Sequence, residues 1–137
     1  MALLALDTSG RIISAAVIDD ASENFAELLS AFTLAVENTS EEVLPVVMET
    51  LSQANLSLSD ISAVAVAIGP GSFTGARTGI ATALGLMGGE AKRVFGVSTL
   101  AARAQLLLES AQSVNNGGHK PRQVLETVLG GKPMVIF

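Results

Sequence analysis

The stretch "ISAVAVAIGPGSFTGARTGIATALGL", residues 61–86, decides how the chain is read. Its first nine residues are apolar on both alternating faces, as in a central strand covered by helices on each side. A Gly-Pro-Gly loop breaks the run, and an apolar helix is then expected, ending at Gly88 and Gly89. Strand, glycine loop and helix in that order open either a phosphate cradle or a close-packed helix.

The loop fails both familiar nucleotide patterns. A Walker loop has Gly, four residues, then Gly-Lys-Ser/Thr, whereas Gly69 to Gly75 is too long by one and no Lys follows. The dinucleotide fingerprint fails because Thr74 stands where the third Gly belongs after Gly69 and Gly71. A weaker anion site survives, with Thr74 as a helix cap, free backbone N–H groups behind it and Arg77 in the first turn. The favoured reading is that Gly71, Gly75 and Gly79, four apart, form a bare strip against which another helix or the sheet packs closely.

Working outward, "ALLALD" at 2–7 and "IISAAVI" at 12–18 read as two strands of an antiparallel hairpin around Thr8-Ser9-Gly10-Arg11. Asp7, Thr8 and Ser9 could set a carboxylate and two hydroxyls near a metal-bound phosphate, but a plain hairpin turn is favoured. Phe25, Leu28, Leu29 and Phe32 stand at i, i+3, i+4 and i+7, so periodicity predicts a helix there. Thr39 and Glu42 have capping-box spacing ahead of a helix expected over 40–54, which Pro45 should bend. "VFGV" at 94–97 is a further short buried strand, and Ser98 or Thr99 caps the helix after it. Hairpin, helix, strand, helix, strand, helix makes an α/β sheet of mixed direction. After Ser110, "AQSVNNGGHKP" reads as a loop, "RQVLETVL" as one or two helical turns and "KPMVIF" as a terminal apolar strand or tail.

Composition narrows the function. At 137 residues and 49% apolar, the chain is one domain with an aliphatic core. Eight basic against thirteen acidic residues give net −5, which disfavours independent binding to tRNA or DNA through phosphate neutralisation. Without cysteine there is no disulfide framework, thiol nucleophile or thiolate metal site, and His119, the single histidine, has no second His to share a metal. No G-x-S-x-G elbow supports a serine hydrolase. The N-terminus lacks a basic start and a long apolar run, and no stretch reaches 18 uninterrupted apolar residues, so a cytoplasmic location away from membranes is expected.

"LALDTS", "LSLSDISAVAVAIGPGSFTGARTGIATALGL" and "GVSTLAA" resemble the TsaB (YeaZ) family of tRNA threonylcarbamoyladenosine biosynthesis proteins, over residues 2–104. The pattern Gly-Pro-Gly-Ser-Phe-Thr-Gly-x-Arg-x-Gly at 69–79 is highly specific to it. Where the family usually has His-Ser-Glu ahead of its Leu-Pro helix, this chain has Thr39-Ser40-Glu41. The resemblance implies a single actin-like (ASKHA, ribonuclease H-like) lobe of class α/β, a five-stranded mixed sheet flanked by helices, over 1–110. It also implies a divergent extension over 111–137 in place of the family's second lobe, and a third meander strand over 25–33 where periodicity predicts a helix.

The function it implies is that of a non-catalytic scaffold in the threonylcarbamoyladenosine (t6A) machinery. Such a subunit dimerises with a TsaD-type catalytic subunit or with itself, has a TsaE-type ATPase as further partner, and meets tRNA only indirectly. The expected interface lies on two helices, with Glu41, Leu44, Pro45 and Met48 on one and Thr74, Gly75, Arg77, Thr78, Gly79 and Ala81 on the other. An alternative is a nucleotide-binding lobe in which Asp7, Thr8, Ser9, Gly69, Pro70 and Gly71 contact ATP and Mg weakly, since superfamily nucleotides bind between two lobes and one lobe offers half a pocket. A glycoprotease-like peptidase is the weakest reading. No resident cofactor or metal is expected.

Overall fold

The computed structural model describes residues 2–19, 27–88 and 93–116. In chain order the elements are β1 (Ala2–Asp7), β2 (Ile12–Asp19), β3 (Glu27–Ala35), α1 (Thr39–Gln53), a 3₁₀ turn (Leu58–Asp60), β4 (Ile61–Gly69), α2 (Phe73–Leu86), β5 (Arg93–Ser98) and α3 (Thr99–Asn116). The strands form one sheet in the order β3-β2-β1-β4-β5. The first three make an antiparallel meander, and β1–β4 and β4–β5 are parallel. This is the five-stranded mixed α/β sheet that the sequence led us to expect.

Register explains the core. Leu4 lies beside Val64 and Leu6 beside Val66 in the parallel pair, while across the hairpin Leu4 faces Val17 and Leu6 faces Ala15. Because side chains alternate along a strand, all six point to one side of the sheet. On that side α1 inserts Val43, Val46, Val47 and Leu51, and α2 inserts Ala83, with Met87 at its C-cap, into one apolar cluster. Each such Leu or Val taken out of water stabilises the fold by about 1.5–3 kcal/mol. Helices α1 and α2 also touch each other, and α3 packs against β4 and β5.

Three local expectations change. The helix predicted around Phe32 is a strand, as the family resemblance implied: β3 pairs along the whole of β2, with Phe32 beside Ala15 and Ser30 beside Val17. The register then shifts, so that Ile18 faces Leu28 and Leu29 is the extra residue. Two successive leucines break strict alternation and so imitate helical spacing, and the bulge accommodates them within the strand. Phe25 lies outside the described residues.

The caps are the second change. Asn38, not Thr39, caps α1, its side-chain oxygen accepting from Ser40 N at 3.3 Å and Ser40 Oγ at 2.8 Å. Glu41 rather than Glu42 completes the cap, accepting from the Asn38 side-chain amide. Ser72, not Thr74, caps α2, its Oγ accepting from Gly75 N at 3.1 Å. Ser98 does cap α3, accepting from Ala101 N at 3.4 Å.

Third, α3 continues through residues 111–116, which were read as loop. Nothing in "AQSVNN" forbids helix, and the Gly-Gly pair that weighed toward a loop stands only at 117–118, outside the described residues. His119, "RQVLETVL" and "KPMVIF" lie outside the described residues, as does Gly89.

Candidate functional site

Two surfaces carry the residues singled out by sequence. The first is the C-terminal end of β1 with the loop that opens α2. Asp7 is tied to its own turn, Oδ1 accepting from Ser9 N at 2.8 Å. Thr8 is fully buried, and its Oγ1 donates to Gly75 O at 2.7 Å. Ser9 is buried as well, and its carbonyl accepts from Ser72 N at 2.6 Å. Gly69 takes a positive φ of 103°, which a residue without a side chain adopts freely, and is followed by a cis bond to Pro70.

The glycine strip faces this turn. A Cβ on Gly75 would strike the Thr8 carbonyl oxygen, one on Gly79 would strike Thr8 Oγ1, and one on Gly71 would strike the Ser9 carbonyl. Gly75 and Gly79 are buried. Of the two packing partners expected for the bare strip, another helix or the sheet, it is the end of the sheet that Gly75 and Gly79 meet, and their expected place among the partner contacts is corrected because the hairpin turn already occupies that space.

Arg77 also departs from expectation. It is the fifth residue of α2 rather than part of its first turn, and its guanidinium lies 4.4 Å from the Phe73 ring centroid. Stacked there, it makes a cation–π contact on the outside of the helix. Ser72 N and Gly75 N, two of the amides an anion at the start of α2 would need, already donate to Ser9 O and Ser72 Oγ. Among the described residues, no three His, Cys, Asp or Glu side chains gather where they could hold a metal ion.

The second surface is the outward side of α1 and α2. Glu41, Leu44, Pro45 and Met48 are exposed along α1 at i, i+3, i+4 and i+7. On α2, Thr74, Arg77 and Ala81 are exposed and Thr78 is half-buried. Leu44 is 50% exposed and Met48 58%, and α2 exposes two residues that sequence reading missed, Phe73 at 71% and Leu84 at 39%. Phe73 could have been found as an aromatic side chain in a loop otherwise made of small residues. Leu84 continues the row of Arg77 and Ala81 at helical spacing. The buried sides of the same helices enter the core, so these four apolar groups face solvent on neighbouring helices. Among the described residues, no helix is long and apolar enough to cross a membrane.

The sequence profile of the family TsaD: tRNA N6-adenosine threonylcarbamoyltransferase matches residues 33–136. The chain is 40% identical over 105 residues to the tRNA threonylcarbamoyladenosine biosynthesis protein TsaB of Escherichia coli (strain K12), covering 77% of this chain and 43% of that protein. It is 36% identical over 115 residues to the protein of the same name from Haemophilus influenzae, covering 84% and 47%. The chain thus spans about half the length of these curated relatives.

Among solved structures, YeaZ from Pseudomonas aeruginosa superposes with a TM-score of 0.68 at 33% identity, over 80% of this chain and 48% of that one. Thermus thermophilus RuvC superposes at 0.52 with 15% identity, over 95% and 81%, and shows only that the ribonuclease H-like fold is shared. From the profile match, the TsaB relatives and the YeaZ superposition, the chain belongs to the TsaD family in its TsaB (YeaZ) branch, within the actin-like superfamily.

Proposed function

We propose that this chain is a non-catalytic partner subunit in tRNA threonylcarbamoyladenosine biosynthesis. It docks through the outward side of α1 and α2 onto a TsaD-type catalytic subunit or, in its absence, onto a second copy of itself. A TsaE-type ATPase is a further partner of the assembly, and tRNA is reached through the partner, in keeping with net −5 on this chain.

The observation that carries this reading is the exposure of Leu44 and Met48 on α1 together with Phe73 and Leu84 on α2. Side chains of this size stabilise by about 1.5–3 kcal/mol when fully buried, so four of them half-covered contribute several kcal/mol against the cost of association. Glu41 and Arg77 add charges of opposite sign at the edge, which set orientation more than affinity. Gly75 and Gly79, expected among the contacts, contribute by letting α2 sit close to β1.

Nucleotide binding at Asp7, Thr8, Ser9, Gly69, Pro70 and Gly71 is the weaker reading. Thr8 and Ser9 are buried, the Asp7 carboxylate is engaged by its own turn, and two of the amides, Ser72 N and Gly75 N, are already bonded. Sedimentation of the purified chain, alone and mixed with a TsaD-type subunit, tests the proposal. Met48→Glu should weaken association at least about thirtyfold with circular dichroism unchanged, since a charge would be buried without a partner. Unchanged association by Met48→Glu would refute the docking face.

A further inference from the structure

Thr8 lies on the inner side of α2, opposite the face just described. Its hydroxyl donates to Gly75 O at 2.7 Å, and its backbone oxygen and Oγ1 occupy the space that side chains at positions 75 and 79 would take. With the Ser72 N–H bonded to Ser9 O at 2.6 Å, the first two turns of α2 rest on two consecutive residues of the β1–β2 turn. Helix α1 is anchored independently, by Val43, Val46, Val47 and Leu51 in the core and by Ser30 Oγ donating to Thr50 O at 2.7 Å.

We propose that Thr8 is a positioning residue for docking on a TsaD-type subunit: its hydroxyl sets the height of α2 above the sheet, and so the height at which α2 presents its exposed Phe73, Arg77 and Ala81 to that subunit. This rests on the docking reading above and adds the residue that tunes it. The physical reason is a difference in contact length. A hydroxyl donating to a carbonyl holds it at 2.7 Å here, whereas a methyl group facing the same oxygen settles at about 3.3–3.6 Å. Thr8→Val, nearly identical in shape, therefore lifts the start of α2 by roughly half an ångström or more. Thr8→Ser keeps the hydroxyl and leaves α2 in place. Close-packed interfaces do not absorb a shift of that size, because their side chains interdigitate as tightly as a protein core.

The experiment compares Thr8→Val, Thr8→Ser and Ser62→Ala by sedimentation equilibrium with a TsaD-type subunit, alongside denaturant unfolding. Ser62 Oγ donates to Ala2 O at 2.9 Å, so its variant also loses a side-chain-to-backbone bond, but one with no part in seating α2. Thr8→Val should raise the dissociation constant about tenfold. Thr8→Ser and Ser62→Ala should stay within about twofold of the parent although each loses stability, an order that stability loss alone does not produce. If Thr8→Val does not fold, Gly79→Ala, which lifts the same part of α2 off Thr8 Oγ1, should show the same weakening.

Equal dissociation constants for Thr8→Val, or for Gly79→Ala in its place, and the parent would overturn the proposal while leaving the docking face standing if Met48→Glu still weakens association. A parent chain that does not associate with the TsaD-type subunit, or a Met48→Glu without effect on that association, would overturn both.

Discussion

Placing one methyl group at two glycines of the same helix should change stability in opposite directions. Gly75→Ala puts a Cβ against the Thr8 carbonyl oxygen, a backbone atom that cannot rotate aside. The clash is relieved only by moving α2 outward, which stretches the Thr8 Oγ1 to Gly75 O bond and thins the packing of Ala83 and Met87. Overpacking of this kind costs about 1–3 kcal/mol, and loss of the buried hydrogen bond adds about 1 kcal/mol. Against this stands a helix-propensity gain of at most about 1 kcal/mol. The net is a loss of about 1–3 kcal/mol, or roughly 5–10 °C in melting temperature for a domain of this size.

Gly85→Ala meets no atom within 4 Å, so only the propensity term remains, reduced near the helix end. A gain of about 0.5 kcal/mol, roughly 2 °C, is expected. Differential scanning calorimetry of the two variants beside the parent decides the matter. A Gly75→Ala melting at or above the parent temperature would refute the inward-facing strip, and with it the close seat of α2 on β1.

Ser30→Ala should cost about 1 kcal/mol in urea unfolding, because it removes the buried bond to Thr50 O that ties the edge strand β3 to α1. Calorimetric titration of the purified chain with ATP and magnesium should show no micromolar binding, since Ser72 N and Gly75 N already have protein partners; micromolar binding abolished by Asp7→Ala would reverse that conclusion. At physiological salt the isolated chain should not retard tRNA in a native gel, given its net charge of −5, and a low-micromolar shift would show a basic surface that the charge balance hides.

Much of the fold was legible in the residues themselves. The hairpin of β1 and β2 followed from two aliphatic runs around Thr8-Ser9-Gly10-Arg11, and β4 from a run apolar on both faces, because patterns of period two report directly which strands are covered. The start of α3 at Ser98 was equally local, a hydroxyl just ahead of an apolar helix. Leu44 and Met48 could be singled out from helix spacing together with family likeness, and both proved exposed.

What the chain alone determined was the order and type of most elements, since local periodicity, turn residues and caps act within a few positions of one another. Three matters needed the tertiary structure. Strand β3 imitated a helix because two successive leucines break its alternation, and the bulge that accommodates them forms only when β3 pairs with β2. The caps of α1 and α2 shifted by one or two residues because neighbouring side chains compete for the same first-turn amides, and three-dimensional placement selects the winner. The glycine strip turned inward rather than outward: a glycine has no side chain whose polarity marks its side of a helix, so only the arrival of Thr8, 67 residues away in sequence, shows which surface Gly75 and Gly79 serve.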